Sequence, residues 1–235
     1  MRWRGLDEGT PESYATLRQA LDERRALMQQ YVPAETQALH RGVVERLRTS
    51  GTAGPTLAVG ASAPAFDLAD QNGSPMSLAS LTGTGPAVLL FFRGRWCPFC
   101  IAQLEAWNRL MPAITRAGIA VAAISPMTRH QSFLTRDQHH LEFPLLSDSG
   151  NQVARQFGLV YSVPDEQRQV YRRTFVNLPF VNGDESWELP IPSTVAVDRG
   201  GKVLFSSADP DYTQRPEPLE VLAAIEAARS DKGNP

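Results

Sequence analysis

The sequence predicts an α/β fold in which a parallel or mixed sheet is covered by helices on both faces. Six consecutive apolar residues, Ala87 to Phe92, read as a strand buried on both sides. A helical stripe follows at once: Leu104, Trp107, Leu110, Met111 and Ile114 lie on one face of a segment from Ile101 to Ile114. Gly118 closes that segment, and Ile119 to Ser125 is a second buried strand. Strands alternating with helical segments are the pattern of sheets with parallel pairing.

The remaining elements follow in order. Residues 10–50 predict two helices. The first starts with Thr10 as N-cap, Pro11 at the first helical position and Ser13 at the third. Its stripe is Leu17, Ala20, Leu21, Leu27, Met28 and Tyr31, and Asp22 to Arg25 form a solvated face. Val32-Pro33-Ala34 breaks it, and a second helix to about Arg48 carries Leu39, Val43, Val44 and Leu47. Neither holds a catalytic constellation, and His40 reads as a surface residue. Such a pair must bury its stripe on the main domain or across a homodimer interface. Residues 51–56 read as a linker. The expected division is therefore a helical extension and linker at 1–58 and a second domain at 59–235.

Ala65 to Leu68 is a short strand, and Gln71-Asn72-Gly73-Ser74 carries a hairpin-turn signal. Thr128 to His140 reads as helix, Phe143 to Ser147 as strand, and Asn151 to Phe157 as a short helix closed by Gly158. Asp165 to Arg173 suggests a helix, and 178–187 a loop whose Phe180 and Trp187 either wall a substrate or pin the loop itself. Thr194 to Asp198 is a buried strand, Arg199 to Lys202 a turn into Val203-Leu204-Phe205, and Pro218 to about Arg229 a closing helix.

A net charge of −2, from 23 basic and 25 acidic residues, offers nothing that favours nucleic acid or a membrane surface. No apolar run is long enough for a membrane helix. The first residues lack the apolar core of a secretory signal, and two cysteines are not a structural disulfide framework, so a cytoplasmic location is expected. Neither a Gly-rich phosphate loop followed by Lys-Ser/Thr nor a serine nucleophile elbow is present.

The chemistry rests on Trp96-Cys97-Pro98-Phe99-Cys100, which holds the only two cysteines, at the strand-to-helix junction. Pro98 suits the first helical position, which makes Cys97 the N-cap and Cys100 the third helical residue. Unpaired N–H groups and the helix dipole at that end favour a thiolate. Residues three apart on a helix lie roughly 5–6 Å apart, within disulfide reach. Cys97 is thus expected to be the exposed nucleophile and Cys100 the resolving thiol. Two buried apolar cysteines, or half a zinc site completed by His139 and His140, explain the motif less well. His130, His139 and His140 read as surface residues, and Arg95 either supports a thiolate or is solvated.

Phe91 to Cys100 resembles the active-site segment of the peroxiredoxin-like proteins of the alkyl hydroperoxide reductase/thiol-specific antioxidant group, within the thioredoxin superfamily. Gly60 to Leu68, Ser147 to Ala154, Pro192 to Asp198 and Asp209 to Tyr212 resemble further segments of it. The resemblance runs from about Val59 to Ala228 and implies a thioredoxin-like fold, in which 163–189 is an insertion. It also implies a peroxide or disulfide substrate, a thiol reductant as partner, and no cofactor or metal. The family's Pro-x-x-x-Thr-x-x-Cys, aligned on Cys100, meets Arg93 and Cys97 at its proline and threonine positions. Where a distant arginine is expected stands Pro192, which resembles the cis-proline of the thioredoxin branch, as Trp96 resembles its tryptophan. The family alignment makes Cys100 the peroxidatic residue, whereas the helix-end argument favours Cys97. Three functions follow: a peroxidase, a general dithiol-disulfide oxidoreductase, or a binding module with inert thiols.

Overall fold

The computed structural model describes residues 16–51 and 57–232. The helix start expected at Thr10 and the linker at 52–56 lie outside them. Helix α1 (Leu17–Tyr31) opens with a capping box between Thr16 and Gln19, and Pro33 separates it from α2 (Ala34–Thr49). Strands β1 (Asp67–Ala69) and β2 (Pro75–Ser77) form the expected hairpin. Its turn is held by Asp70 Oδ1, which accepts from the N–H groups of Asn72 and Ser74, and Gly73 takes φ +91°.

A short helix α3 (Leu78–Thr82), capped by Ser77, leads to β3 (Ala87–Phe91), which is wholly buried. The helix expected over 101–114 is two elements, α4 (Pro98–Arg109) and α5 (Met111–Arg116). Pro112 has no N–H to continue the ladder, so the chain breaks at Leu110. Then come β4 (Ala120–Ser125), α6 (Arg129–Gln138), β5 (Leu145–Ser147) and α7 (Gln152–Gln156), ended by Gly158 at φ +71°.

The insertion holds more structure than expected. Strand β6 (Val160–Ser162) pairs antiparallel with β7 (Glu188–Pro190), enclosing α8 (Asp165–Arg173) and α9 (Leu178–Asn182). Helix α9 replaces the expected loop: Asn177 caps it by accepting from the Phe180 N–H, and Pro179 lies in its first turn. Strands β8 (Ser193–Val197) and β9 (Val203–Ala208) and helix α10 (Pro218–Lys232) complete the chain.

The main sheet runs β2-β1-β5-β4-β3-β8-β9. Strand β3 pairs parallel with β4 and antiparallel with β8, while β4 and β5 are parallel, so the sheet is mixed. Successive β3 residues feed opposite faces. Val88 and Leu90 join the cluster of α1, α4, α5 and α10, whereas Ala87, Leu89 and Phe91 join that of α3 and α7.

The first half of the α1 stripe is buried within the chain itself, whereas Leu27 and Met28 are half-buried and Tyr31 is exposed. Leu17, Ala20 and Leu21 lie in the same apolar cluster as α4, and Glu217 accepts from the N–H groups of Leu17 and Arg18 at the helix start. No described helix is long and apolar enough to cross a membrane.

Candidate active site

The central strand delivers the motif to the helix start. Beyond β3, the Phe92 N–H donates to the Ile124 carbonyl, and the chain then turns sharply through Gly94. Gly94 takes φ +141°, and a Cβ there would sit 2.7 Å from Trp96 Nε1. The turn closes with the Cys97 N–H donating to the Gly94 carbonyl at 3.1 Å. Cys97 is the N-cap of α4 and Pro98 its first residue, as the spacing predicts. The Cys100 N–H returns to the Cys97 carbonyl at 3.0 Å.

Two expectations change. Both cysteines are free thiols and both are 0% exposed, so Cys97 is not an exposed nucleophile. Nor does its sulfur cap the helix N–H groups. It takes a guanidinium instead. Arg93, itself buried, donates from Nη2 to Cys97 Sγ at 3.2 Å and from Nη1 to Tyr171 Oη at 3.3 Å. The same guanidinium lies 3.8 Å from the Tyr212 ring centroid and 4.9 Å from that of Trp96. A second cation approaches the other sulfur: Arg215 Nη2 is 3.7 Å from Cys100 Sγ, and its Nε donates to Gln103 Oε1 at 2.8 Å. Gln103 in turn donates to Thr194 Oγ1 on β8, so the arginine is oriented by the sheet.

The electrostatics separate the two sulfurs. Burial alone would raise the Cys97 thiol, but the hydrogen bond from Cys100 and the charges of Arg93 and Arg215 overcome it and hold Cys97 well below the usual thiol range. Burial, and then the hydrogen bond to Cys97 and its charge, push Cys100 up. The surroundings therefore favour the thiolate at Cys97 and the protonated thiol at Cys100. Burial also raises Tyr171 and Tyr212, the latter to about 12, so the rings around Arg93 are neutral.

Arg95 is engaged elsewhere: Nη1 and Nη2 donate to Gln131 in the first turn of α6 and Gln138 at its end. Trp96 packs against Tyr171 with the rings tilted by 58° and their centroids 5.1 Å apart. Pro192 is buried just before β8, but no described peptide bond is cis, so the cis-proline is not formed. Trp187 is buried and covered by the guanidinium groups of Arg168 and Arg172, whereas Phe180 is exposed. Both nonetheless line one open surface cavity, together with Arg172, Phe175 and Pro179.

Two histidines leave the surface. His40 pairs with Gln167 at 3.0 Å and lies 6.1 Å from the Tyr212 ring and 6.4 Å from that of Tyr171. Burial, aided by the Arg93 charge, lowers it to about 4. The His139 side chain is 8% exposed and meets Glu105 at 3.0 Å. The second helix thus does reach the site, contrary to expectation.

Sequence reasoning missed the roles of Arg93, Arg215, Tyr171, Tyr212 and His40. Arg93 left a signal, a charge at the family's proline position just after an apolar run, and Tyr212 ended a segment that resembles the family.

The AhpC/TSA family model matches residues 59–206. A Mycobacterium tuberculosis protein provisionally named a peroxiredoxin is 31% identical over 150 residues, covering 64% of this chain and 84% of the relative. The thiol-disulfide oxidoreductase ResA of Geobacillus thermodenitrificans is 27% identical over 63% of this chain and 67% of its own. Among solved structures, peroxidoxin BcpB of Mycobacterium tuberculosis superposes with a TM-score of 0.57 at 22% identity, covering 72% of this chain and 96% of its own. A yeast mitochondrial 1-Cys peroxiredoxin does so with a TM-score of 0.57 at 19% identity, covering 75% and 78%. The fold is thioredoxin-like, and the chain belongs to the AhpC/TSA family of oxidoreductases.

Proposed function

We propose that the chain is a dithiol peroxidase in which Cys97 attacks and Cys100 resolves. The observation that carries this reading is the pairing of Cys97 Sγ with Arg93 at 3.2 Å beside a neutral Cys100. The thiolate attacks one oxygen of a hydroperoxide, the O–O bond breaks, and the leaving oxygen takes up a proton as alcohol or water. The sulfur becomes a sulfenic acid. Cys100 then condenses with it: a disulfide forms and water leaves. A reductant supplying two thiols regenerates the pair by exchange.

Arg93 and Arg215 stabilise negative charge in a site shielded from water, where such charges act most strongly. Full burial of both sulfurs favours a small hydroperoxide over the disulfide of a folded protein. Residues 1–58 act as an arm on the 59–235 domain. A cytoplasmic setting fits, because thiols there are kept reduced.

A second reading, thiol-disulfide exchange with a partner protein, draws on the ResA likeness and on Cys97 standing at the family's threonine position. The two separate in a stopped-flow experiment. Fully reduced protein is mixed with one equivalent of hydrogen peroxide or an organic hydroperoxide, and thiol loss is compared with that of free cysteine. Loss of both thiols far faster than the control supports the peroxidase. A rate like free cysteine with both peroxides leaves disulfide exchange as the activity.

A further inference from the structure

The surroundings of Arg93 bear on the oxidised state. Its guanidinium is buried, and its contacts are Cys97 Sγ, the Tyr171 hydroxyl and the rings of Tyr212 and Trp96. Tyr161 faces it as well, and burial keeps that phenol neutral. Among the described residues no carboxylate forms an ion pair with it, and its Nε is buried without a hydrogen-bond partner. The buried carboxylate on α4, Glu105, is engaged by Arg24 and His139 instead. The one anion facing Arg93 is therefore the sulfur that the reaction consumes.

We infer that Arg93 sets the redox poise of the pair, making the Cys97–Cys100 disulfide a strong oxidant by leaving a buried cation without an anion whenever that disulfide forms. This deepens the peroxidase reading and rests on it. With a disulfide as oxidant, the Sγ–Sγ bond of Cys97 and Cys100 forms and the oxidant's S–S bond breaks. Two electrons pass to the oxidant, and the Cys100 proton leaves with one of its two sulfurs. The thiolate charge departs with the other. Arg93 keeps its charge, and Arg215 adds a second cation to a site that has lost its anion. An unpaired buried charge is strongly destabilising, so the imbalance falls on the oxidised form. An ordinary disulfide stabilises the fold that holds it. Here the reduced protein is the more stable one.

The test equilibrates the full-length protein with reduced and oxidised glutathione and reads the fraction of disulfide. The variants are Arg93→Met, which keeps length without charge, and Arg93→Lys, which keeps the charge. Arg95→Met is the control, since that side chain is engaged by Gln131 and Gln138. We expect Arg93→Met to shift the equilibrium at least tenfold toward the disulfide, equivalent to a potential about 30 mV more negative. Arg93→Lys recovers most of the difference, and Arg95→Met matches the unaltered protein.

An unchanged or more oxidising potential in folded Arg93→Met overturns the inference. The unaltered protein supplies a second reading should that variant fail to fold: its urea midpoint is expected to be lower oxidised than reduced. An equal or higher midpoint when oxidised overturns the inference. Two free thiols persisting after excess hydrogen peroxide, which is small enough to reach the buried sulfurs, instead overturn the dithiol reading beneath it.

Discussion

Replacing Leu21 by alanine tests whether α1 seals the dithiol. Leu21 is 2% exposed and shares an apolar cluster with Cys97 and Cys100. Removing a buried leucine side chain costs about 2–5 kcal/mol. The polar contacts that dock α1 reach α4, the 212–217 segment and α10 rather than the sheet. They include Arg24 to Glu105 at 3.9 Å, Arg25 Nη1 to the Thr213 carbonyl at 2.8 Å, the Tyr212 hydroxyl to Met28 Sδ at 3.9 Å, Arg18 to Glu220 at 3.7 Å, and Glu217 to the helix start. The loss therefore falls mainly on docking of the arm. At about 2.8 kcal/mol the open population rises about 100-fold.

The assay is the rate at which the native reduced protein reacts with a bulky aromatic disulfide, which reaches the sulfurs only in the open form. Ile225→Ala on α10, equally buried in the same cluster, is the matched control for general destabilisation. We expect Leu21→Ala to react about 100-fold faster and Ile225→Ala to change far less. Equal acceleration in both, or none in Leu21→Ala, would refute the arm as a seal.

Two further outcomes follow from the site. Gly94→Ala places a Cβ 2.7 Å from Trp96 Nε1 on a backbone with φ +141°, so we expect a loss of about 1–3 kcal/mol in urea unfolding and slower peroxide reaction. Wild-type stability in Gly94→Ala would show that the turn relaxes freely. His40 is lowered from 6.5 to about 4, so below pH 6.5 the unfolded chain binds a proton that the folded chain refuses. Stability from this residue is fully present above pH 6.5 and falls as pH drops toward 4, by about 3 kcal/mol in all. His40→Gln is expected to flatten that part of the urea-midpoint profile, and an identical profile would contradict the buried neutral ring.

Much of the scaffold was legible because it follows local rules. The apolar run 87–92 had to be a buried strand, and Asn72-Gly73 had to be a turn. Cys97-Pro98 was a helix start whatever surrounded it. The split at Pro112 and the Asn177 cap obey the same rules and were readable, though apolar periodicity masked the first and the loop-like composition of 178–187 the second. The site itself was half legible. Its sulfurs are three residues apart in sequence, but the charges on them come from two distant places. Arg93 follows β3 and Arg215 precedes α10, while the neutral ring of His40 on α2 lies beside the same aromatic rings. Burial of the sulfurs was not readable either, since it depends on α1 and the aromatic rings converging from distant segments. Arg95 drew attention by proximity, yet the turn at Gly94 sends it to α6.

Cys97 as the attacking thiolate is tested most directly by mapping the sulfenic acid. Cys97→Ser and Cys100→Ser are each reduced, treated with one equivalent of hydrogen peroxide in the presence of a sulfenic-acid trap, and analysed by peptide mass. We expect rapid trapping on Cys97 in Cys100→Ser and almost none on Cys100 in Cys97→Ser. Rapid trapping on Cys100 with an inert Cys97 would contradict the assignment and return the peroxidatic role to the position the family alignment suggests.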